Sequence, residues 1–324
     1  MAIITNTVQT FDRKGLRENL TDVIYNISPT DTPFMSNAGR SSMEATLTEW
    51  QIDSLASVDT ANAQIQGNDY TSFPSTTATT RLGNYSQISA KLAIVAGTVE
   101  AVKKAGRKDE MAYQVAKRAK ELKRDQEAIV FSPQGGSAGD TSTAATLAGL
   151  LAFIKTNTVF NTASVGADPT YTSGVPTDAR VDDGTLVTFT EPMLQSVLQQ
   201  CYSSGAEPTT LMVGAVNKAR VSGFDGIATK TIQQTAVKAA AIIGAADFYV
   251  GEFDTLTIVP NRFQRERDAF VFDFNYVDIM FLRKYMTEKL AKTGDAEKRL
   301  LLVEWSLKVK NEAAIGGVFD LVTT

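Results

Sequence analysis

The chain has 324 residues, 43% of them hydrophobic, and a formal net charge of −4, which allows two modest domains or one large one. It contains no histidine and a single cysteine, Cys201. Triads that use histidine, zinc sites built from histidine or cysteine, and internal disulfides are therefore excluded.

Phosphate-binding and membrane motifs are also missing. Neither the P-loop pattern nor the G-x-G-x-x-G pattern occurs, so the glycines at 135–136, 139 and 316–317 are interpreted as turns. No apolar run reaches the roughly 18 residues of a membrane span. The stretch MAIITNTVQTFDRKGL lacks the basic start, apolar stretch and cleavage site that are typical of a signal peptide. We expect a soluble protein made in a cytoplasm. The remaining carboxylates and lysines form no distinctive pair, so we assign no catalytic, cofactor-binding or metal-binding residue.

Residues 1–41 alternate short apolar pieces with turn-forming residues, which predicts an arm and not a folded domain. A short helical face, Leu16, Leu20 and Ile24, is followed by prolines that favour extended backbone. The apolar side chains near its end have too little sequence around them to form a core. We therefore predict that they pack against another surface; they are Tyr25, Ile27, Pro29 and Phe34.

Two long strand-like runs follow, at residues 43–55 and 81–95. Each is rich in β-branched and aromatic residues, and a polar stretch too long for an ordinary hairpin turn separates them. A 13-residue strand spans roughly 43 Å. A compact chain of this length has a radius of gyration of about 20 Å. The pattern predicts a β-hairpin that protrudes from the body and needs support from outside.

A long, basic helix is predicted over residues 106–132. Its apolar stripe is narrow, and lysines and arginines occupy much of the remainder, offset by Glu121, Asp125 and Glu127. We expect ion pairs between neighbours on this face, such as Lys117 with Glu121 at i, i+4. At 1.5 Å per residue, roughly 24 residues make a rod of about 36 Å. The stripe is Met111, Val115, Leu122, Ile129 and Val130.

The middle of the chain predicts a mixed α/β domain. A short buried helix is expected in TLAGLLAFIKTN, and a helix beginning at Thr190 and ending at Gly205 carries Cys201 as a core residue. The run TTLMVG is typical of a buried strand. It is followed by a helical segment, VNKARVSGF, by a further helix over residues 231–245 and by two strands. The C-terminal part is mostly long strand, in DAFVFDFNYVDIMFLRKY and KRLLLVEWSLKVKN, with polar MTEKLAKTGDAE between them.

Five segments in this order resemble the major capsid proteins of tailed bacteriophages, in particular the podovirus SU10-like group. They span the chain from the first arm to the last strand. The segments are RENLTDVIYNISPTDTPFMSNAGR, TEWQIDSL, RLGNYSQIS, AGRKDEMAYQVAKRAKELKRDQE and LAKTGDAEKRLLLVEWSLKVKNEAAIGG.

The resemblance implies an α+β, HK97-like phage capsid fold in five consecutive parts. The first two are an N-terminal arm and an extended β-hairpin loop. A peripheral domain with a long spine helix and an axial α/β domain follow, and the last strands return to the peripheral domain. In the same order, these parts cover residues 1–41, 42–97, 98–145, 146–274 and 275–324.

The same resemblance implies the function of a structural subunit that assembles with itself into hexamers and pentamers around a double-stranded DNA genome. The implied location is the virion, with assembly in the host bacterial cytoplasm. Separate scaffolding, portal and decoration proteins and non-specific contact with packaged DNA are implied as partners, without a membrane. A fused scaffolding segment is expected to be absent. Some family members join subunits by a lysine–asparagine bond, but no motif marks Lys91 or Asn311 as reactive.

Two other classes of function compete with this interpretation. A nucleic-acid-binding protein would use the basic helix at residues 103–124, yet acidic residues interrupt its positive charge and stacking aromatics are scarce. A carboxylate-based hydrolase needs two carboxylates across a cleft, which no pattern here specifies. An acidic chain also suits a container that must release its DNA. The expected function is therefore structural and not enzymatic.

Overall fold

The computed structural model describes residues 31–69, 78–103, 108–160, 166–224, 247–253 and 255–324. Within these ranges the helices are α1 (Pro33–Asn37), α2 (Gly97–Ala101), α3 (Glu110–Val130), α4 (Leu150–Phe153), α5 (Glu191–Ser203) and α6 (Ala215–Val221). The first seven strands are β1 (Gly39–Ser42), β2 (Leu47–Ile52), β3 (Thr80–Tyr85), β4 (Gln87–Ala96), β5 (Asn157–Val159), β6 (Tyr171–Thr172) and β7 (Val175–Pro176). The others are β8 (Thr210–Val213), β9 (Phe248–Val250), β10 (Thr255–Pro260), β11 (Ala269–Phe272), β12 (Val277–Lys289), β13 (Ala296–Val309) and β14 (Gly316–Val318). Short 3-10 turns cover Phe274–Tyr276 and Glu312–Ala314.

The strands form two main sheets. The first has four strands in the order β1-β12-β13-β4, antiparallel except for the parallel pair of β1 with β12. The second has six strands in the order β5-β14-β11-β8-β10-β9 and mixes parallel and antiparallel pairs. Two-stranded pairs of β2 with β3 and of β6 with β7 complete the described sheets.

Helix α3 packs against one face of the four-stranded sheet, over strand β4. Side chains along β4 alternate, so that Ala93 and Val95 are buried beside Met111 of α3 while Ile88 and Ile94 are exposed. This is the pattern of a sheet with one packed face and one open face. The helix has the predicted apolar stripe but is shorter than predicted, since it begins after Asp109, whose carboxylate caps the backbone N–H of Ala112 at 2.8 Å.

The inner strands of the six-stranded sheet, β8, β11 and β14, are buried on both faces, as the apolar run TTLMVG predicts for β8, whereas β9 and β10 at one edge are partly exposed. Successive residues of β8 point into different cores: Leu211 and Val213 pack with α5, whereas Met212 packs on the opposite side. Cys201 of α5 is fully buried in the first of these cores, as predicted. The helix begins after Thr190, and Gly205 ends it with φ at +81°.

The core between the two sheets is rich in aromatic side chains. The Phe34 ring meets Phe131 and Phe272 edge-on, with centroids 5.3 and 5.8 Å apart, and Trp305 is fully buried in the same core. The prediction that Phe34 packs against an outside surface is therefore wrong. The sequence before it gave no sign that a one-turn helix, α1, would fold back onto its own chain.

Two further expectations need correction. Gly316 and Gly317 both lie in β14 and not in a turn. Glycine is needed at 316 because α5 crosses so closely that a Cβ there would be 2.5 Å from a Val197 methyl. The predicted single strand over residues 268–285 is two strands, β11 and β12, which join different sheets on either side of the Phe274–Tyr276 turn. Strand β12 also continues to Lys289, so it includes the first residues of MTEKLAKTGDAE, which the sequence predicts to be a polar connection.

Three predicted features lie outside the described residues. These are the helical face of Leu16, Leu20 and Ile24 in the arm, the packing of Tyr25, Ile27 and Pro29, and the helix over residues 231–245.

One buried carboxylate joins three parts of the chain. Glu127 of α3 accepts hydrogen bonds from the backbone N–H groups of Phe34 and Met35 at 2.9 and 2.8 Å, and from the amide of Asn261 at 2.7 Å. The two N–H groups belong to the first turn of α1, where no helical carbonyl is available to them. Burial raises the pKa of Glu127, and the three hydrogen bonds oppose that rise.

We predict that Glu127→Gln destabilises the subunit by about 2 kcal/mol, because an amide group then faces an N–H donor in a dry site. The raised pKa adds a pH dependence, since the unfolded chain loses the Glu127 proton at lower pH than the folded chain. The wild-type free energy of unfolding should fall as pH rises through this interval, while the variant lacks that change.

Denaturant unfolding at pH 5 and pH 8 should therefore show a gap between the two proteins that narrows at the higher pH. Glu121→Gln is the control on the same helix; its carboxylate is partly buried and pairs with Arg118, so its loss should cost at most about 1 kcal/mol. A gap that widens with pH would contradict this assignment.

Candidate assembly interface

The protruding hairpin is shorter than the sequence predicts. β2 and β3 pair over only six residues, from Leu47 with Tyr85 to Ile52 with Thr80. At about 3.3 Å per residue this is roughly 20 Å, half the expected length. The predicted second strand bends at Ser86, beyond which β4 pairs with β13 in the four-stranded sheet. The bend arises because Ser86 is held on both sides: its backbone N–H binds the Thr46 carbonyl at 2.7 Å and its hydroxyl binds Glu304 at 3.0 Å.

The base of the hairpin packs on its own subunit. Trp50 stacks on Phe153 with ring centroids 6.3 Å apart, and Leu82 is buried. The turn between β6 and β7 approaches so closely that Gly174 accepts a hydrogen bond from the Gly83 N–H at 3.0 Å. Gly174 has φ at +85°, and a Cβ there would lie 2.3 Å from the Arg81 carbonyl oxygen. Only glycine fits this position without displacing the hairpin.

A buried amide, Asn84, fixes the hairpin to the core. Its Nδ2 donates to the carbonyls of Ala148 at 3.1 Å and Leu307 at 2.7 Å. Its Oδ1 accepts from the N–H groups of Ala148 at 2.8 Å and Tyr85 at 2.9 Å. The amide thus joins β3 to β13 and to the segment before α4, and all its hydrogen-bonding capacity is used.

Beyond this base, all of residues 53–69 are exposed. Their hydrogen bonds are local, such as the Asp59 carboxylate with the Ala61 N–H at 2.8 Å. Three large apolar side chains stand almost fully in solvent: Leu55 at 99%, Val58 at 90% and Ile65 at 83% exposure. Apolar groups this exposed on one segment mark a surface that another molecule covers.

The acidic residues of α3 have other partners than the sequence predicts. Glu121 pairs with Arg118 at 2.6 Å and not with Lys117 as predicted, and Asp125 pairs with Lys91 of β4 at 2.6 Å. The Arg118 hydrogen bond, opposed by partial burial, lowers the pKa of Glu121. Glu127, which appeared to be a surface acid, is the buried carboxylate described above. The only sign of its burial in the sequence was that Glu127 lies about one helical turn before Val130, a residue of the apolar stripe.

The two residues considered for a covalent link have ordinary contacts here. Lys91 makes the ion pair with Asp125 across the sheet–helix contact. The Asn311 side chain accepts the Ala313 N–H at 3.1 Å and so begins a 3-10 turn.

A network of buried charges joins the loop before α5 to the C-terminal segment. Arg265 binds both Asp182 and Asp268 at 2.7 Å, and Arg267 binds Asp320 at 2.8 Å. Burial raises the pKa of Asp268 to about 6, although Arg265 opposes the rise. These groups neutralise one another, which fits a packing role.

The described ranges contain no group of three or more histidine, cysteine, aspartate or glutamate side chains placed to share a metal ion. The longest helix described, α3, is too polar to cross a bilayer, and the other described helices are too short or too polar.

Comparison with solved structures identifies the fold class of this chain. The native capsid of a GTA particle has the same fold, with a TM-score of 0.62 at 14% identity over 99% of this chain and all of that one. The capsid of cyanophage A-1(L) gives 0.61 at 13% identity over 98% and 99%. An encapsulin complex from Synechococcus elongatus gives 0.55 at 10% identity over 95% and 94%. The fold is therefore the HK97-like α+β fold of protein shells, as the sequence resemblance implied.

The particular family follows from sequence. The model of the SU10 major capsid protein matches residues 3–322, and the chain belongs to this family. It is 28% identical to the major capsid protein of Escherichia phage Phieco32 in an alignment of 347 positions that covers 95% of each chain. The comparisons give no support to the alternative of a nucleic-acid-binding protein built on residues 103–124.

We predict that Asn84→Ala destabilises the hairpin base by about 3 kcal/mol, because it leaves buried backbone groups of Ala148 and Leu307 without partners. Thr80→Ala, on the same strand but exposed, is the control. Amide hydrogen exchange should accelerate across β2 and β3 in the Asn84 variant only. Unchanged exchange there would show that the stacking of Trp50 alone holds the hairpin.

Proposed function

We propose that this chain is the structural subunit of an icosahedral phage head and assembles into hexamers and pentamers that enclose double-stranded DNA. Membership of a major capsid protein family over nearly the whole chain supports this proposal. The observation that carries it is the exposed segment 53–69 on a firmly anchored hairpin base. An isolated enzyme gains nothing from three solvent-exposed apolar side chains at the end of such a support.

A shell subunit gains an interface from the same segment. Fully burying one aliphatic side chain contributes about 1.5–3 kcal/mol. Interfaces around a hexamer or pentamer are heterologous, so each chain donates its loop to one neighbour and receives a loop from the other. Modest contacts of this kind add up over several neighbours.

The five-part division from the sequence remains our proposal for the domains, with two changes that the sheet pairings favour. β4, at the end of the loop 42–97, pairs with β13 and is better counted with the peripheral domain. Residues 316–324 follow the last peripheral strands in sequence, but β14 pairs with β11 and β5. We therefore count this final segment with the axial domain.

The further partners we propose are separate scaffolding, portal and decoration proteins. Contact with packaged DNA should be non-specific, because a chain with a net charge of −4 presents no strongly basic wall to hold the genome. We propose no enzymatic activity and assign no catalytic residue. The site of action is the virion, after assembly in the host bacterial cytoplasm.

We predict that the triple variant Leu55→Ser, Val58→Ser, Ile65→Ser folds normally but does not form shells. The three side chains bury nothing within the subunit, so the unfolding midpoint should stay within about 0.5 kcal/mol of wild type. Electron microscopy and sedimentation should show free subunits or capsomers instead of closed particles.

The matched control is Ala56→Ser, Ala61→Ser, Ala63→Ser, which adds three hydroxyls to the same segment without removing a large apolar group. It should assemble like wild type. Closed particles of normal size from the Leu55, Val58 and Ile65 variant would refute the role of the loop.

The arm is also proposed to act between subunits, and the buried position of Phe34 limits where it can be cut. Deleting residues 1–30 leaves α1 and the Glu127 contacts in place. We predict a folded subunit with normal circular dichroism that fails to close shells. Normal shells from this truncated chain would exclude an essential role of the arm in assembly.

A further inference from the structure

The network of buried charges between the loop before α5 and the C-terminal segment contains polar atoms without a partner. Asp183 and Asp320 are 1% and 0% exposed, and Arg180, in the same loop as Asp183, is 3% exposed. The two carboxylate residues are joined directly, because the Asp183 N–H donates to Asp320 Oδ1 at 2.9 Å. Arg267 also joins them, since it donates both to Asp320 Oδ1 and to the Asp183 carbonyl. Unpaired polar atoms at such a buried junction need an explanation.

Arg180 is held without using all of its N–H groups. Its guanidinium lies between the rings of Phe160 and Phe319, 4.1 and 4.2 Å from their centroids. One nitrogen, Nη1, donates to Asp168 at 2.5 Å, whereas Nε and Nη2 are buried and have no partner among the described residues. Aromatic faces attract the positive charge, but they do not accept N–H groups that point outward in the guanidinium plane. These two donors therefore require a small acceptor.

The acceptors of the network are incomplete as well. Asp183 Oδ1 accepts the Thr185 N–H at 2.8 Å, and Asp320 Oδ1 accepts Arg267 at 2.8 Å. The second oxygen, Oδ2, of each carboxylate is buried without a donor from the described residues, and the Nε of Arg267 is buried without an acceptor. Donors and acceptors are thus unpaired in the same network, although they do not reach one another.

Gly166 borders both carboxylates. A Cβ built at this position would lie 3.4 Å from Asp320 Oδ2 and 3.6 Å from the Asp183 Cβ. An isolated bridge between Ala167 and Val181 holds residue 166 in place. Because glycine has no side chain, this side of the carboxylates is left to a molecule about as small as water.

We infer that this network is a binding site for ordered water, with a water molecule beside Gly166 that donates to Asp320 Oδ2. Water is the ligand that fits because it both donates and accepts, and a buried water molecule typically makes about three hydrogen bonds to such groups. It joins the unpaired carboxylate oxygens to the unpaired N–H groups of the arginines. The loop before α5 is thus fastened to the segment after β14 partly through water.

A metal ion is the main competing ligand, since carboxylates outnumber guanidiniums in this network. A cation on the two free oxygens would leave the N–H groups of Arg180 and Arg267 unpaired. It would also lie close to Arg267, which already holds Asp320 at 2.8 Å. Cations that prefer oxygen take six or more ligands, and no third carboxylate among the described residues converges on these two. The unpaired donors therefore favour water.

Filling the space beside Gly166 with a methyl group tests the inference. In Gly166→Ala the methyl displaces the water and leaves Asp320 Oδ2 without a donor, so the equilibrium constant for unfolding should rise about tenfold. Gly184→Ala is the matched control, because nothing lies within 4 Å of a Cβ there, and it should change the constant by about twofold at most. A Gly166→Ala constant within about twofold of this control would overturn the inference.

Gly166→Ser separates loss of water from crowding. The serine hydroxyl donates and accepts, so it can replace the water beside Asp320 Oδ2, although serine is larger than alanine. The unfolding constant of Gly166→Ser should be at least about threefold below that of Gly166→Ala. A serine variant as unstable as the alanine variant, or more so, would show that crowding is the cause and would overturn the inference.

A reconstruction or crystal structure of the wild-type protein that resolves ordered water observes the ligand directly. It should show a density peak at roughly 2.7–3.0 Å from Asp320 Oδ2, with an unpaired arginine N–H within hydrogen-bond distance of this peak or of a second one. The first peak should be absent from Gly166→Ala. A dry site would overturn the inference, as would a peak surrounded by oxygen atoms at roughly 2.3–2.6 Å, which would identify a cation.

Discussion

A single buried carboxylate sets the geometry on which the subunit depends. Glu127 lies near the end of the long helix, at the point where the incoming chain and the loop after β10 meet it. A carboxylate removed from water is unfavourable unless its oxygens are hydrogen-bonded, and here three N–H donors from two distant segments provide that. Because the three segments satisfy one group together, a shift of any one leaves a buried charge unpaired. Phe34, next to these bonds, then enters the aromatic core between the two sheets.

The two sheets play different parts around this core. The six-stranded sheet is packed on both faces along its inner strands β8, β11 and β14, which have little freedom to move. The four-stranded sheet is packed only partly, and its longest strands, β12 and β13, extend beyond the core to an exposed end. The body is thus complete by itself, while the loop and the open face of β4 remain uncovered. That division is what a subunit needs if it must fold before it assembles.

Local patterns in the sequence predicted much of this body. The alternation in β4, the continuous apolar run of β8, the capped start of α5 and the stripe of α3 each depend on neighbours close in sequence. The bend at Ser86 could not be found in this way, because the groups that hold it come from Thr46 and Glu304. The burial of Glu127 and Phe34 had the same cause, since the segments that cover each of them lie far away in sequence. The glycine at 316 was misread because the helix that approaches it lies more than 100 residues earlier. The resemblance implied the family and fold, but not these contacts between distant segments.

A cryo-EM reconstruction of assembled particles, at a resolution that shows side chains, tests the central claim most directly. The claim is that a self-sufficient body, held together at Glu127, presents a loop that only a neighbour can cover. The reconstruction should show the two sheets and the contacts of Glu127 with Phe34 and Met35 unchanged, and residues 53–69 buried against another subunit. Loops that remain in solvent within a closed shell, or a body rebuilt around a different contact for Glu127, would contradict the account.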